Sequence, residues 1–248
     1  MTEQSDSSFL DHLEALRNVL LKIAGLFLLL CIPAWYFSGD VLQLLLNYAA
    51  PPGFKLHYFT VMEPFMTQLK ISLILALTAS LPLSLWWLWK FIAPGLTEEE
   101  QQKLRYPFFM ILFLALAGAA VTIFFIIPAL IRFSLSFAGD TIAPVIGIGD
   151  FVSMILVVIL AGMAMFQFPL VLLGLLTTGI LQIETVKQKR PHIVVTIFIL
   201  AAIFSPPDVF SQLLLAIPTY LLFEASLLFF SLRKARDDSY EKIYKDTE

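Results

Sequence analysis

The chain has 248 residues, of which 59% are hydrophobic and only 14% charged, against about 45–50% and 25% in soluble domains. Such a composition leaves too little polar sequence to cover a soluble globule, and it excludes disorder, collagen and a disulfide-rich secreted module. A net charge of −3 offers no basic footprint for nucleic acid.

A bilayer core takes about 20 apolar residues as a helix, so the elements can be read in order from the apolar runs. Residues 1–18 read as a cytoplasmic amphipathic helix. Its apolar stripe Phe9, Leu13, Leu16 and Leu20 faces the membrane and leaves Asp11, Glu14 and Asn18 outward. Glu3, Asp6, Asp11 and Glu14 are foreign to the positive start of a cleavable signal peptide, so the first span is expected to stay. Long runs follow at Val19–Phe37, Leu69–Phe91, Pro107–Ile131 and Phe151–Ile180, then a shorter one at Ile193–Phe204 and another long one at Phe210–Leu232. The lone Cys31 lies in the first of these, permits no internal disulfide, and reads as a small core or lipid-facing residue.

The expected fold is therefore all-α: one integral membrane domain over residues 1–248, with six spans within 19–232 and a charged tail at 233–248. Helices are required because an open sheet would strand backbone polar groups in lipid, and the runs lack the period-two alternation of barrel strands. Pro33, Pro82, Pro128, Pro169 and Pro218 lie inside spans and predict a kinked bundle. The last two helices are expected to be short. Ile193–Phe204 rises only about 18 Å against a core of about 30 Å, and the tight turn Ser205-Pro206-Pro207-Asp208 adds no length. Either the hairpin stops below the outer leaflet or the bilayer thins to meet it.

Lysine and arginine set the orientation. With six spans, 13 of the 16 basic residues fall on one side, and only Lys55, Lys70 and Arg132 on the other. Both termini are then cytoplasmic. A five-span reading would put the basic tail outside. Trp86, Trp87 and Trp89 with Lys90 read as an interfacial anchor.

Several stretches together carry a family resemblance. They are His12-Leu13-Glu14-Ala15-Leu16-Arg17, Glu63-Pro64-Phe65, Phe91-Ile92-Ala93-Pro94-Gly95-Leu96 with Glu100, Lys189-Arg190-Pro191, and the run from Ser205 through Asp208, Gln212 and Pro218 to Phe223-Glu224. Taken in order over the whole chain, they resemble the TatC family, the six-span core subunit of the twin-arginine protein translocase. The resemblance implies a signal-peptide receptor rather than an enzyme, without a cofactor, in the bacterial cytoplasmic membrane. Its implied partners are the single-span subunits TatA and TatB, twin-arginine signal peptides of folded cargo, membrane lipid and further copies of itself, with transport driven by the proton-motive force.

Recognition of two guanidinium groups calls for carboxylates at the cytoplasmic surface. Glu100 matches the family's signal-binding Glu in the loop after the second span. The same residue also fits a capping box, Thr97-Glu98-Glu99-Glu100, and the two roles can coexist. The family's other signal-binding Glu falls on Ala15 here. Asp11 and Glu14 are the candidate substitutes, against a plain solvated face on which Glu14 pairs with Arg17. Gln167 stands where the family often has a Glu in the fourth span; it cannot titrate, which favours a packing or partner-docking contact over a proton relay. Glu224 is an acid within the last span, a candidate for a partner contact or for structural bonding. Asp208 matches the family's Asp in the outer turn and reads best as the cap of the sixth helix.

Other chemistry finds little in the sequence. His12, His57 and His192 are scattered, and no metal spacing, nucleophile motif or phosphate loop is present. A proton-coupled small-solute transporter is the alternative reading. It would call for convergent midplane charges and paired broken helices, and no internal repeat supports it. An intramembrane enzyme would need a nucleophile–base or metal set that is not found.

Overall fold

The computed structural model describes residues 2–49, 55–138, 144–177, 180–205 and 208–245, with side chains placed for 12–48, 55–102, 104–138, 144–176, 180–205 and 208–232. The described chain is mostly helical. Five helices are long and apolar enough to cross a membrane: His12–Tyr48, Glu63–Gly95, Glu98–Leu135, Ile148–Leu176 and Val209–Leu232. A sixth apolar helix, Arg190–Phe204, is shorter.

The first helix, α1 (Thr2–Ala49), runs 48 residues without a break, about 72 Å. The amphipathic segment and the first apolar run are thus one element, which continues 12 residues past the expected end at Phe37. Pro33 is accommodated within it. The second helix, α2 (Glu63–Ile92), starts with Pro64 in its first turn, where a missing N–H costs nothing. It packs against α1, and its buried residues are mostly small: Thr67, Ser72, Ala76, Ser80 and Ser84, together with Ile71, Leu85 and Trp89. The hydroxyls of Thr67, Ser72 and Ser80 donate to carbonyls one turn back, at 2.8 Å each, so they can be buried at little polar cost. Large residues such as Leu28, Leu29 and Ile32 point outward instead. In lipid, association rests on close packing of small residues rather than on hiding large ones.

After a short 3₁₀ turn at Ala93–Gly95 comes α3 (Glu98–Val121), a π-turn at Thr122–Ile126, and α4 (Ile127–Leu135). Pro128 accounts for the π-turn: it has no N–H to give, and its ring crowds the preceding turn, so the ladder widens ahead of it. The same cause separates α5 (Ile148–Met165) from α6 (Phe168–Thr177). Pro169 cannot bond back to Met165, and the chain passes through a tighter turn in which Gln167 N donates to Ala164 O at 3.0 Å. Pro82 and Pro218 leave their helices continuous, so two of the five expected proline sites interrupt a helix. A two-residue parallel bridge joins β1 (Leu56–His57) to β2 (Ile146–Gly147).

The chain ends with α7 (Ile183–Gln188), α8 (Arg190–Phe204) and α9 (Val209–Lys245). α8 has 15 residues, about 22 Å. α9 has 37, so of the two helices expected to be short only α8 is. The apolar part of α9 passes directly into the charged tail without a helix stop, which is why it is long. The residues form two compact units, 1–112 with 131–156, and 113–130 with 157–248. The first contains the α1–α2 hairpin and the bridge. In the second, α6 and α8 both pack on α9.

Candidate receptor face

The first unit joins the two sequence motifs that carry the candidate acids. His12, in the first turns of α1, stacks on Phe91 at the end of α2, with ring centroids 4.5 Å apart and planes 26° from parallel. The His-Leu-Glu-Ala-Leu-Arg segment therefore lies against the start of the Phe-Ile-Ala-Pro-Gly-Leu segment. On α1, Glu14 and Arg17 form an ion pair at 3.5 Å, both side chains about two-thirds exposed. A pair so exposed contributes little to stability, and each partner can exchange the other for a ligand. Ala15 is exposed, so the position of the family's second Glu opens onto solvent without a carboxylate. Asp11 lies in α1, and its side chain falls outside the described residues.

Beyond Phe91 the 3₁₀ turn brings the chain round to Glu100. Gln101 holds this turn: its Nε2 donates to Ala93 O at 2.8 Å and to Leu96 O at 3.1 Å. Thr97 and Glu100 form the reciprocal box that opens α3. Glu100 Oε2 accepts from Thr97 N and from Thr97 Oγ1, both at 2.9 Å, and Glu100 N donates to Thr97 Oγ1 at 3.4 Å. Capping does not bury Glu100, which stays exposed beside Glu98 and Glu99. Three acids at one helix start make a negative, solvent-facing rim on a rigid turn. Trp86 and Trp89 pack on Phe108 and Phe109 beneath it, and Lys90 lies 5.2 Å above the Trp86 ring.

The other three candidate residues are in the second unit and are occupied by the chain itself. Gln167 sits at the break between α5 and α6, with Nε2 donating to Met163 O at 3.4 Å. Asp208 caps α9: Oδ1 accepts from Ser211 N at 2.7 Å and Oδ2 from Ser211 Oγ at 2.6 Å. Pro206 and Pro207 lie outside the described residues. Glu224 Oε2 pairs with Arg190 at 3.4 Å, and Oε1 accepts from Tyr220 Oη at 3.2 Å. Arg190 is the first residue of α8, so Glu224 is level with the end of that short helix, not at its middle. This position eases the cost that a carboxylate would carry deep in lipid.

Glu63 has a role that the sequence reading did not assign. Its Oε2 accepts from Phe59 N at 2.7 Å and Thr60 N at 3.4 Å, and its Oε1 from Gly149 N at 2.7 Å. Thr60-Val61-Met62-Glu63 has the same spacing as the Thr97–Glu100 box, so the local half of this clamp was open to the same reasoning. The bond to Gly149 was not. Among the described residues no group of His, Cys, Asp and Glu could hold a metal ion.

The chain resembles known proteins along most of its length. Residues 11–218 match the family described as Sec-independent protein translocase protein (TatC). The TatC protein of Carboxydothermus hydrogenoformans is 33% identical over 241 residues, covering 97% of this chain and 99% of the relative. The Escherichia coli protein of the same name is 31% identical over 234 residues, covering 92% and 90%. A crystal structure described as the twin-arginine translocase receptor TatC superposes with a TM-score of 0.75 at 28% identity, over 88% of this chain and 98% of that one.

Proposed function

Because the chain belongs to the TatC family of Sec-independent protein translocase proteins, we propose that it is the signal-peptide receptor and core membrane subunit of a twin-arginine translocase. It binds the signal peptides of folded cargo at the cytoplasmic face and takes part in their export, with TatA- and TatB-type single-span subunits as partners and the proton-motive force as the energy source. α8 is the fifth of six spans in this reading, and both termini are cytoplasmic. The bias of Lys and Arg to one side supports that orientation.

The observation that carries the reading is the stack of His12 on Phe91, which gathers the acids of α1 and the acidic rim at Glu100 on one unit. Glu100 takes one arginine of the signal. Glu14 or Asp11 stands in for the carboxylate missing at Ala15, with Arg17 as the resting partner of Glu14. Two charge-assisted contacts of about 1.5–3 kcal/mol each fall short of the roughly 8 kcal/mol of micromolar binding. The apolar segment of the signal supplies the rest by lying along the helices. Gln167, Asp208 and Glu224 serve the scaffold and its contacts with partner helices.

A photo-crosslinking side chain at position 11, 14 or 100, probed with a twin-arginine peptide and a twin-lysine control, tests this assignment. Crosslinks from 100 and from 11 or 14 are expected with the arginine peptide and are weaker with lysine. Unchanged crosslinking at 100 after joint replacement of Asp11 and Glu14 by Asn and Gln would remove those two residues from the site.

A further inference from the structure

The loop that leads into α2 gathers its backbone amides onto Glu63 and leaves its bulky apolar groups exposed. Glu63 gathers the amides of Phe59, Thr60 and Gly149, and the bridge of Leu56–His57 with Ile146–Gly147 pins the other edge. The Phe59 ring lies over Gly147, only 3.0 Å from where a Cβ would stand, so the two loops are held close. On this frame Tyr58, Phe59, Val61 and Met62 are 67%, 66%, 91% and 58% exposed, and the neighbouring Val145 is 64% exposed. Single exposed apolar side chains are ordinary. Five on two pinned loops form a patch of the kind that marks an interaction surface.

We propose that this patch is a membrane wedge, seated in the headgroup layer of the leaflet on the α1–α2 loop side, with lipid as its occupant. Continuity is the first argument. Phe65, Met66, Leu73 and Leu77 are exposed along α2, and Met62 and Val61 extend that stripe toward the loop, with the exposed Lys70 as its one charged member. Glu63 is engaged by Gly149, and Lys70 sets its Nζ on Ser153 Oγ at 2.8 Å, while Lys55 and Asp150 are exposed beside the patch, as suits a headgroup layer. Length is the second argument. At helical rise, the stretch from Val61 to Phe91 spans about 46 Å, close to the 40–45 Å of a bilayer with its headgroups and well beyond the 30 Å hydrocarbon core. The tip then falls among headgroups, where aromatic rings are favoured. A protein partner on this patch would have to displace lipid from a surface continuous with the lipid-facing side of α2. The wedge fixes the depth of α2, and it rests on α2 being a span, not on the receptor reading.

The test places one environment-sensitive NBD label at Val61→Cys in a Cys31→Ser background, in the full chain at one copy per lipid nanodisc. A second label at Tyr58→Cys guards against a local effect of either substitution, and a label at Glu98→Cys gives the exposed reference. Both loop labels are expected to emit to the blue of the reference and to lose intensity to headgroup-level nitroxide lipid more than to a mid-chain nitroxide. Emission at the reference wavelength with no quenching at both sites overturns the wedge. So does shielding that appears only when partner subunits or a second copy are added.

Discussion

Glu100 holds the start of α3, and in the proposed receptor it also meets an arginine. Its bonds to Thr97 N and Oγ1 need only an acceptor oxygen, whereas attraction of a guanidinium needs the charge. The two roles separate on substitution. Glu100→Gln keeps an oxygen for the box and loses the charge, so signal-peptide binding is expected to fall at least several-fold with little change in thermal stability. Thr97→Ala does the reverse: it removes the cap at a cost of about 1 kcal/mol and leaves the carboxylate in place. Its melting temperature should fall while peptide affinity stays near that of the parent. Peptide titration and thermal unfolding in the same detergent distinguish the two, and equal losses in both variants would mean that Glu100 serves only as a cap. Glu224 has Arg190 and Tyr220 as partners within the chain, so its carboxylate serves the α8–α9 pairing.

At the scale of elements, a close contact in the second unit joins the end of α3 to α5. A Cβ at Gly118 would lie 2.5 Å from Gly162 O, and a Cβ at Gly162 would run into the Thr122 side chain. The first is a backbone approach that only glycine permits; the second is against a buried side chain. Thr122 is fully buried and begins the π-turn that Pro128 imposes, so it has little freedom to retreat. Gly162→Ala is expected to destabilise the protein by about 1–3 kcal/mol through overpacking, read as a lower detergent unfolding temperature. Adding Thr122→Ala should restore part of the loss, because it removes the hydroxyl that the new methyl meets. No restoration would place the strain elsewhere. Local features of this kind were partly legible beforehand. The Thr97–Glu100 box and the Asp208 cap depend on residues three apart, and Pro169 breaks its own helix. The Glu63–Gly149 clamp and the Arg190–Glu224 pair depend on chain segments 86 and 34 residues apart, which no pattern along a single chain reveals. α1 outruns its apolar stretch for a different reason. Ser38-Gly39-Asp40 interrupts the hydropathy but not the helix, and Ser38 Oγ simply bonds back to Trp35 O at 2.8 Å.

For the whole molecule, the length of α8 decides the topology. Its start is set by Pro191 in the first turn, and its end by Ser205 and the Asp208 cap that immediately begins α9. Gln212 Nε2 then donates to Phe198 O at 2.9 Å, fastening the hairpin below its turn. If α8 crosses, as the six-span proposal requires, about 8 Å of mismatch is taken up by the lipid or by the depth of the hairpin. The cost per ångström is a fraction of a kcal/mol, whereas Lys and Arg of the α9 tail on the far side would violate the charge bias that orients the other loops. The balance favours crossing. A fluorescent protein and, separately, alkaline phosphatase fused after Lys245 read the outcome directly. Six spans predict fluorescence without phosphatase activity, and five spans the opposite. The same fusions on a chain with Lys187, Lys189 and Arg190 replaced by Gln test the cause. If charge on the α7–α8 segment drives α8 across, the fluorescent fraction should drop and phosphatase activity appear; an unchanged pattern would assign the crossing to the hairpin itself.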